Sequence, residues 1–277
     1  SLLCTFVMST HIKSTYTEKL GIQKCKEIAK TDMSRIYEAK DLTIGTEVIL
    51  KEMTKKGLQR NQEIEREIEL MKRAYFDSNK HIVRLLDVSE DEKKAYLILK
   101  YYKNGDLEKY LETHQLTEQQ ALLVFSKICI GYNWFIENKV IHRDLKPLNI
   151  LMDGDEPVIC DLGSSRKLEG ELELALTNKL FTVSYMAPEQ LSPTKRSQDK
   201  NYDRTVDIWA LDVILYELIH HKHPFKADSA IKMQASIVES EPSYPSCSKE
   251  TADLLSRLLK KNPEARIPCE LLEQDCS

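Results

Sequence analysis

The chain has 277 residues, of which 42% are hydrophobic and 30% are charged, so it is neither mostly disordered nor fibrous. Its length accommodates one large domain or two small ones. The 40 Lys and Arg against 44 Asp and Glu give a net charge of −4, which offers no reason to expect nucleic acid as a partner. Only 8 residues are glycine, about 3% of the chain against an ordinary usage of about 7%.

Cysteine usage and hydropathy favour a soluble protein of the cytoplasm or nucleus. The seven cysteines are scattered without a C-x-x-C pair, so they predict neither a zinc site nor a disulfide framework. No run of about 20 apolar residues predicts a membrane span. Residues 1–7 are apolar but too short, and lack the basic residues, for a signal peptide. Because position 1 is not Met, we expect the chain to be a fragment.

Short strands around one helix are predicted for the first hundred residues. The segments Arg35–Ala39 and Glu47–Met53 have strand composition and are joined by a turn near Gly45. Apolar residues recur at helical spacing from Gln59 to Tyr75 and predict an amphipathic helix. The apolar run Ala95–Leu99 predicts a further strand.

Beyond these strands the pattern changes to helices. The segment Thr117–Gln120 is a capping box, and apolar residues at spacings of three and four follow it. Further helices are predicted near Thr205–Ile219 and Lys249–Leu259. A strand-rich half followed by a helical half predicts two lobes with a ligand-binding cleft between them.

Four short segments carry residue types suited to phosphate chemistry. Residues 142–149 read H-R-D-L-K-P-L-N, in which a carboxylate and an amide on one loop can serve a nucleophile and a metal ion together. Residues 161–163 read D-L-G and supply a second carboxylate. Residues 48–51 read V-I-L-K, and residues 186–189 read M-A-P-E.

In this order the segments resemble the H-R-D, D-F-G, V-A-I-K and A-P-E motifs of the eukaryotic-type protein kinase superfamily. The resemblance covers about residues 24–272. It implies an α+β, two-lobed protein kinase fold, with a small antiparallel-sheet N-lobe that carries one helix and a larger, mainly helical C-lobe. The expected boundaries are an extension at 1–23, an N-lobe at 24–100, a hinge at 101–104 and a C-lobe at 105–277.

The resemblance implies a catalytic role for each charged residue of the loop. Asp144 would orient a substrate hydroxyl and accept its proton, and Lys146, typical of the serine/threonine class, would steady the transferring phosphate. Asn149 and Asp161 would ligate Mg²⁺. The expected reaction transfers the γ-phosphate of ATP to serine or threonine hydroxyls of protein substrates.

The resemblance also implies the nucleotide contacts. Lys51 would hold the α- and β-phosphates of ATP, with Glu67 as its ion-pair partner. Asp106 has two open interpretations, as a partner of the ribose or as a helix N-cap. The other residues expected to contact the nucleotide are Ile28, Ile36, Ile49, Leu99, Tyr101 and Leu151.

Further matches concern the support of the loop and the choice of substrate. Asp207 is expected to buttress the catalytic loop, and Arg266 is expected to pair with Glu189. Thr182 matches the threonine that serine/threonine kinases place before A-P-E. Leu148 stands where many kinases of basic substrates have an acidic residue, which weakens the expectation of an arginine-rich consensus.

An upstream kinase acting near Thr177 is the expected activating partner. A phosphate there would pair bidentately with Arg143 and order the activation segment. Ser164, Ser165 and Ser184 are weaker candidates for the acceptor.

The nucleotide loop departs from the family pattern. Ala29, Thr31 and Ser34 fill the positions where glycine normally lets backbone amides close over the phosphates, and Asp32 adds a negative charge there. Ile49 replaces the small alanine that roofs adenine. Two functions are open: an active serine/threonine kinase with weakened nucleotide affinity, or a pseudokinase that acts as a binding or scaffolding module. The charged groups needed for catalysis are all present, which favours activity.

Two side features have competing interpretations. The run His220–His223 either binds a metal or forms a solvated turn, and the turn is favoured. Cys160, next to Asp161, is either a reactive thiol or a buried strand cysteine.

Overall fold

A computed structural model describes residues 20–167, 183–191 and 204–266. These residues fall into two compact units. The first contains the described residues up to Leu58 together with Leu85–Tyr101, and the second contains Gln59–Arg84 together with those from Tyr102 onward. Within the described ranges, no helix combines the length and the hydrophobicity that crossing a bilayer would need.

The first unit is built on a five-stranded antiparallel sheet with the strand order β1-β2-β3-β5-β4. Its strands are β1 (Ile22–Lys30), β2 (Ser34–Asp41), β3 (Thr46–Thr54), β4 (Leu85–Glu90) and β5 (Lys94–Lys100). The predicted strands are confirmed as β2, β3 and β5. Gly45, in the turn before β3, has a φ of 73°, a left-handed conformation that glycine adopts without a steric penalty.

The two faces of this sheet carry different side chains. One face holds an apolar cluster of Ile22, Ala39, Val48, Leu50, Tyr96 and Ile98. Because side chains alternate along a strand, Ile49 and Lys51 of β3 lie on the opposite face. The register pairs Ile36 with Lys51 and Leu99 with Ile49, which adds Ile36 and Leu99 to that second face.

The β1–β2 connection closes without glycine. The Thr31 amide donates to the Ser34 carbonyl at 2.8 Å, and the Thr31 hydroxyl accepts from the Ser34 amide at 3.0 Å. The two hydroxyl oxygens lie 2.9 Å apart. The described residues with positive φ all lie elsewhere, so side-chain hydrogen bonds stabilise a turn that needs no glycine conformation.

The second unit is mainly helical. Its helices are α1 (Gly57–Phe76, whose first two residues belong to the first unit), α2 (Leu107–Thr113), α3 (Glu118–Glu137), α4 (Pro188–Leu191), α5 (Thr205–His220), α6 (Ala230–Glu239) and α7 (Lys249–Leu258). Two short antiparallel pairings join β6 (Val140–Ile141) to β9 (Arg166–Lys167), and β7 (Ile150–Asp153) to β8 (Glu156–Ile159). The predicted helices are confirmed as α1, α3, α5 and α7.

Helices α3 and α5 form the centre of the second unit. Helix α3 begins with the predicted capping box, in which Thr117 and Gln120 each accept a hydrogen bond from the other's amide. The two helices pack against each other and contribute Tyr132 and Trp209, which are fully buried. The catalytic loop, residues 142–149, follows α3 in the chain.

Helix α5 also holds a buried acid that has no hydrogen-bond partner among the described residues. Asp212 is 0% exposed, and neither of its carboxylate oxygens has a hydrogen-bond partner in the described part of the chain. Burial raises the pKa of this carboxyl well above its ordinary value, and the nearby Arg266 charge offsets only part of that rise. The folded protein therefore favours the neutral acid at this position.

We predict that Asp212→Asn stabilises the protein at neutral pH. The unfolded chain ionises Asp212 near pH 4, whereas the folded chain ionises it only at higher pH, so the stability tied to this group is lost as pH rises above about 4. The variant, which cannot ionise, should exceed the wild type by about 1 kcal/mol or more at pH 7.5. Denaturant unfolding should show this excess shrinking toward pH 4.

A matched control is the exposed Asp253, whose change to Asn should alter stability by less than about 0.5 kcal/mol. An Asp212→Asn variant no more stable than the wild type at pH 7.5 would contradict the prediction.

Candidate active site

The catalytic loop is anchored by a buried carboxylate on α5, as predicted. Asp207 is 1% exposed and accepts hydrogen bonds from the backbone amides of His142 at 2.6 Å and Arg143 at 2.8 Å. The Tyr132 hydroxyl donates a third bond at 3.1 Å. The sequence pattern identified Tyr132 only as a core position, so this contribution was missed. Three donors thus fix the backbone directly before Asp144.

This anchoring holds the loop in an unusual conformation. Arg143 has a φ of 73°, which places a non-glycine residue in the left-handed region at a cost of about 1 kcal/mol or more. The bonds from Asp207 to the amides of His142 and Arg143 offset that cost.

The ring of His142 ties the loop to the next functional segment. Its Nε2 lies 3.0 Å from the Cys160 carbonyl oxygen, and its Nδ1 lies 3.3 Å from the Asp144 amide. A carbonyl only accepts and an amide only donates, so these partners select the neutral tautomer with the proton on Nε2. Cys160 is half-buried, which agrees with neither of its two sequence interpretations in full.

Asp144, Lys146 and Asn149 form one hydrogen-bonded group. The Lys146 ammonium lies 2.8 and 2.7 Å from the two carboxylate oxygens of Asp144. The Asn149 amide nitrogen donates to the Asp144 carbonyl at 2.7 Å and to its carboxylate at 2.9 Å. The Asp144 and Lys146 side chains remain partly exposed, so an incoming hydroxyl can reach them.

The β7–β8 hairpin brings Asp161 to the same place. Its register pairs Ile150 with Ile159, and the Cys160 amide donates to the Asn149 carbonyl at 2.9 Å, which extends the pairing by one step. Asn149 and Asp161, distant in sequence, therefore lie at one end of one hairpin.

The segment after this hairpin brings two carboxylates near one glycine. Asp161 adopts the left-handed conformation, with φ 60° and ψ 64°. A Cβ on Gly163 would lie 3.1 Å from Oε2 of Glu67 and 3.4 Å from Oδ1 of Asp161. The absence of a side chain at 163 therefore makes room for both acids. Leu162, the middle residue of the D-L-G segment, is 1% exposed.

The residues predicted to ligate a metal fit Mg²⁺ in chemical type. Because the Asn149 nitrogen donates to Asp144, its Oδ1 is the atom left to act as a ligand. Mg²⁺ in nucleotide sites is held by one or two protein ligands together with phosphate oxygens and waters. Among the described residues, no group of three or more His, Cys, Asp and Glu side chains forms a self-sufficient metal site.

Two predicted nucleotide contacts of the second unit are neighbours. Asp106 and Leu151 form an antiparallel bridge, and the Met152 amide donates to the Gly105 carbonyl at 2.9 Å. The Asp106 carboxylate accepts from the Lys109 amide at 2.9 Å, which confirms the N-cap interpretation. The ribose contact stays a prediction.

The remaining predicted nucleotide contacts, apart from Glu67, belong to the first unit. Four of them, Ile36, Ile49, Lys51 and Leu99, share the sheet face opposite the apolar cluster. Ile28 lies at a β-bulge and is 45% exposed, and Tyr101 follows β5. Lys51 and Glu67 are both buried, and the ion pair between them stays a prediction.

The segment 183–191 is fixed to the helical core by polar contacts. The Tyr185 hydroxyl donates to Glu217 at 2.8 Å, and a ring nitrogen of His223 lies 3.1 Å from the Ser184 carbonyl. Burial raises the pKa of the Glu217 carboxyl to about 7, although the bond from Tyr185 opposes the rise. Sequence analysis missed Glu217, whose one signal was an acid within an apolar helix.

The prediction of a solvated turn at His220–His223 needs correction. His223 is half-buried and bonds to Phe225 and Ser184 through its two ring nitrogens. Burial lowers the pKa of this imidazole, although its hydrogen bonds to Phe225 and Ser184 oppose that shift. The turn itself is confirmed, because His221 ends α5 in the left-handed conformation.

The predicted pair between Arg266 and Glu189 is confirmed. Both guanidinium nitrogens lie 2.6 Å from the two carboxylate oxygens, and the Arg266 side chain is 1% exposed. The same guanidinium donates to the Thr205 carbonyl at 2.9 Å. This bidentate pair joins the A-P-E segment to the start of α5.

A small cavity is lined by residues of the catalytic loop, of the segment 183–191 and of α5. It has a volume of about 20 Å³ and is lined by Arg143, Asp144, Tyr185 and Met186, among others. Asp144 therefore lies beside the segment that precedes A-P-E.

The candidates for activating phosphorylation have different outcomes. Thr177 and Thr182 lie outside the described residues. Ser165 and Ser184 are buried, at 1% and 8% exposure, which disfavours them as acceptors, whereas Ser164 is exposed.

Comparison with known proteins agrees with this geometry. Residues 22–275 match the family model of the protein kinase domain. The chain is 31% identical over 259 residues to serine/threonine-protein kinase ATG1c of Arabidopsis thaliana, a match that covers 88% of this chain and 34% of that protein. It is 31% identical over 249 residues to CBL-interacting protein kinase 26 of Oryza sativa subsp. japonica, covering 87% and 49%.

A third relative is serine/threonine-protein kinase ULK3 of Xenopus laevis, 30% identical over 263 residues, with 91% of this chain and 52% of that protein covered. The chain thus spans about a third to a half of the length of these relatives. With its catalytic loop, D-L-G segment and A-P-E segment in the order and geometry described, the chain belongs to the serine/threonine class of the eukaryotic-type protein kinase superfamily.

Proposed function

We propose that this domain transfers the γ-phosphate of ATP to serine or threonine hydroxyls of protein substrates. The observation that carries the proposal is the group formed by Asp144, Lys146 and Asn149 on a loop fixed by Asp207. A carboxylate and an ammonium group held together suit a reaction in which a proton leaves as a phosphoryl group arrives.

The chemical step uses these residues as follows. The substrate oxygen forms a bond to the γ-phosphorus, the bond from that phosphorus to the β–γ bridging oxygen breaks, and ADP departs with the electron pair. Asp144 accepts the hydroxyl proton, and Lys146, 2.7 Å from Asp144, places its positive charge beside the transferring group. Asn149 and Asp161 would hold Mg²⁺, which would neutralise charge on the phosphates when bound.

The nucleotide contacts complete the proposal. Lys51 would hold the α- and β-phosphates, and Glu67 would orient its ammonium group. Ile28, Ile36, Ile49, Leu99, Tyr101, Asp106 and Leu151 would contact the adenosine portion. We also propose that an upstream kinase acts near Thr177. The substrate consensus would have no strong arginine requirement, because an apolar residue, Leu148, is 40% exposed on the loop.

The second candidate is a pseudokinase that binds partners without catalysis. The observation that favours it is the β1–β2 turn, in which Thr31 and Ser34 close the loop by side-chain hydrogen bonds. These side chains occupy positions where backbone amides would otherwise approach the phosphates freely. The intact group around Asp144 favours the active enzyme, because electrostatic stabilisation dominates this reaction.

A kinase assay tests the proposal. We predict that the wild type, with ATP and Mg²⁺, phosphorylates serine or threonine in a degenerate peptide library. Asp144→Asn should lower kcat by about 100-fold or more, because the general base is lost. The matched control Asp228→Asn removes a carboxylate from an exposed site and should leave kcat unchanged.

The two candidates are separated by adding thermal unfolding with ATP and Mg²⁺ to the same experiment. An absence of any stabilisation at millimolar ATP, together with no phosphate transfer, supports the pseudokinase. Transfer that survives Asp144→Asn would contradict the assigned role of Asp144.

The loop substitutions generate a separate prediction. Replacing Ala29, Thr31 and Ser34 by glycine should lower the KM for ATP by about threefold, equivalent to under 1 kcal/mol, since backbone amides gain access to the phosphates. Steady-state kinetics with ATP as the varied substrate measure the change. An unchanged or raised KM would show that the hydroxyl-closed turn does not limit nucleotide affinity.

A further inference from the structure

A polar cavity of about 450 Å³ opens in the first unit beside the β1–β2 turn. Glu52 and Thr54 of β3 line it, and strand alternation places both on the face opposite Lys51. The cavity is therefore distinct from the face that carries the proposed nucleotide contacts. Three cationic side chains, Lys30, Arg35 and Lys94, contribute to its walls.

The residues that line this cavity carry an excess of positive charge. Glu52 is 4% exposed and forms ion pairs with both Lys24 and Lys94, the latter at 2.9 Å. Burial alone would raise the pKa of Glu52, but hydrogen bonds from the two lysines lower it, so the carboxylate is ionised. Lys24 does not line the cavity itself, and the lining charges of Lys30, Arg35 and Lys94 against those of Asp32 and Glu52 leave one positive charge in excess.

Two further cations are available at the opening. Lys30 is exposed and has no ion-pair partner among the described residues. Arg35 lies 3.5 Å from Glu27, and both side chains are largely exposed, so a ligand can replace this weak pair at little cost. A guanidinium group matches the oxygens of a phosphate bidentately.

The β1–β2 turn adds hydroxyl groups to the same cavity. Thr31 and Ser34 line it, and their hydroxyl oxygens share one hydrogen bond of 2.9 Å. When Thr31 is the donor of that bond, the Ser34 proton is left for a ligand oxygen. Asp32 also lines the cavity, and its charge opposes an anion.

The lining residues also restrict the class of ligand. No aromatic or large aliphatic side chain is among them, so a nucleobase or an acyl chain would find no surface to pack against. A phosphate monoester carries a charge of about −1.5 to −2 and offers three acceptor oxygens to the cations and hydroxyls. We propose that this cavity binds a phosphorylated serine or threonine side chain of a peptide segment.

Binding here would also affect the nucleotide loop. A ligand held by Ser34 and Lys30 would restrain the turn at Thr31–Ser34, which resembles the loop that covers the phosphates of ATP. This consequence, unlike the binding itself, rests on the proposed kinase function. A restrained loop would lower the KM for ATP.

The test titrates the 277-residue chain, without ATP, with a blocked five-residue peptide that has one central phosphoserine between alanines. Isothermal calorimetry should show saturable binding that weakens as salt is raised. Arg35→Gln and Lys30→Gln should each weaken binding by about tenfold, the usual worth of one charged hydrogen bond. Asp32→Asn should strengthen binding, because it removes the opposing charge.

The matched control is Lys93→Gln, which removes one exposed positive charge next to Lys94 but outside the cavity. It should leave the affinity within about twofold. Thermal unfolding of each variant identifies any that fail to fold. Because Lys30 is exposed and unpaired in the described chain, its variant keeps the test decisive if Arg35→Gln is unstable.

Three results would overturn the proposal: equal binding of the unphosphorylated peptide, full affinity in both Arg35→Gln and Lys30→Gln, or binding of inorganic phosphate with none of the phosphopeptide. The ATP kinetics are measured separately, with and without the peptide. A chain that binds the peptide but transfers no phosphate would refute the kinase proposal and leave the binding site standing.

Discussion

The carboxylate of Asp207 is buried in a mostly apolar helix, and three hydrogen-bond donors converge on it. Two of these donors are consecutive backbone amides, those of His142 and Arg143. Burying a carboxylate without such partners would cost several kcal/mol. The amides of the loop therefore stabilise the carboxylate of the helix, and the carboxylate holds the loop in place. The left-handed Arg143, and with it the position of Asp144, depends on this arrangement.

Helix α5 anchors both the catalytic loop and the A-P-E segment. Near its first turn Asp207 holds the catalytic loop, and near its last turn Glu217 holds Tyr185. The pair between Arg266 and Glu189 also bonds to the Thr205 carbonyl at the start of the helix. Because all of these contacts are made to one buried helix, the loop and the A-P-E segment keep their spacing as a rigid set.

The parts of the fold that follow from local rules were predictable. Strand composition located β3, and the Thr117 capping box located the start of α3. The motif order also placed Asp207 and Arg266 correctly. Contacts such as those of Glu217 and His223 were not predictable, since each joins residues distant in sequence through an ordinary side chain. A pattern in one sequence carries no information on which buried acid meets which hydroxyl.

The loop at Thr31–Ser34 shows a different limit. Its lack of glycine was evident from the sequence, but the hydroxyl network that closes it was not. The sequence therefore indicated that glycine is missing from the turn, and the structure shows that hydrogen bonds between Thr31 and Ser34 order the turn instead. The same turn lines the polar cavity beside it, and no sequence motif had indicated that cavity.

Steady-state kinetics of Asp207→Asn measure how far catalysis depends on the anchor of the loop. An amide at 207 presents only one acceptor to the amides of His142 and Arg143, so the loop loses its anchor. We expect a kcat lowered by about tenfold or more, the usual effect of losing about 1.4 kcal/mol of positioning, with the KM for ATP within about twofold of the wild type. An unchanged kcat in a folded Asp207→Asn variant, or a wild type that transfers no phosphate, would contradict this expectation.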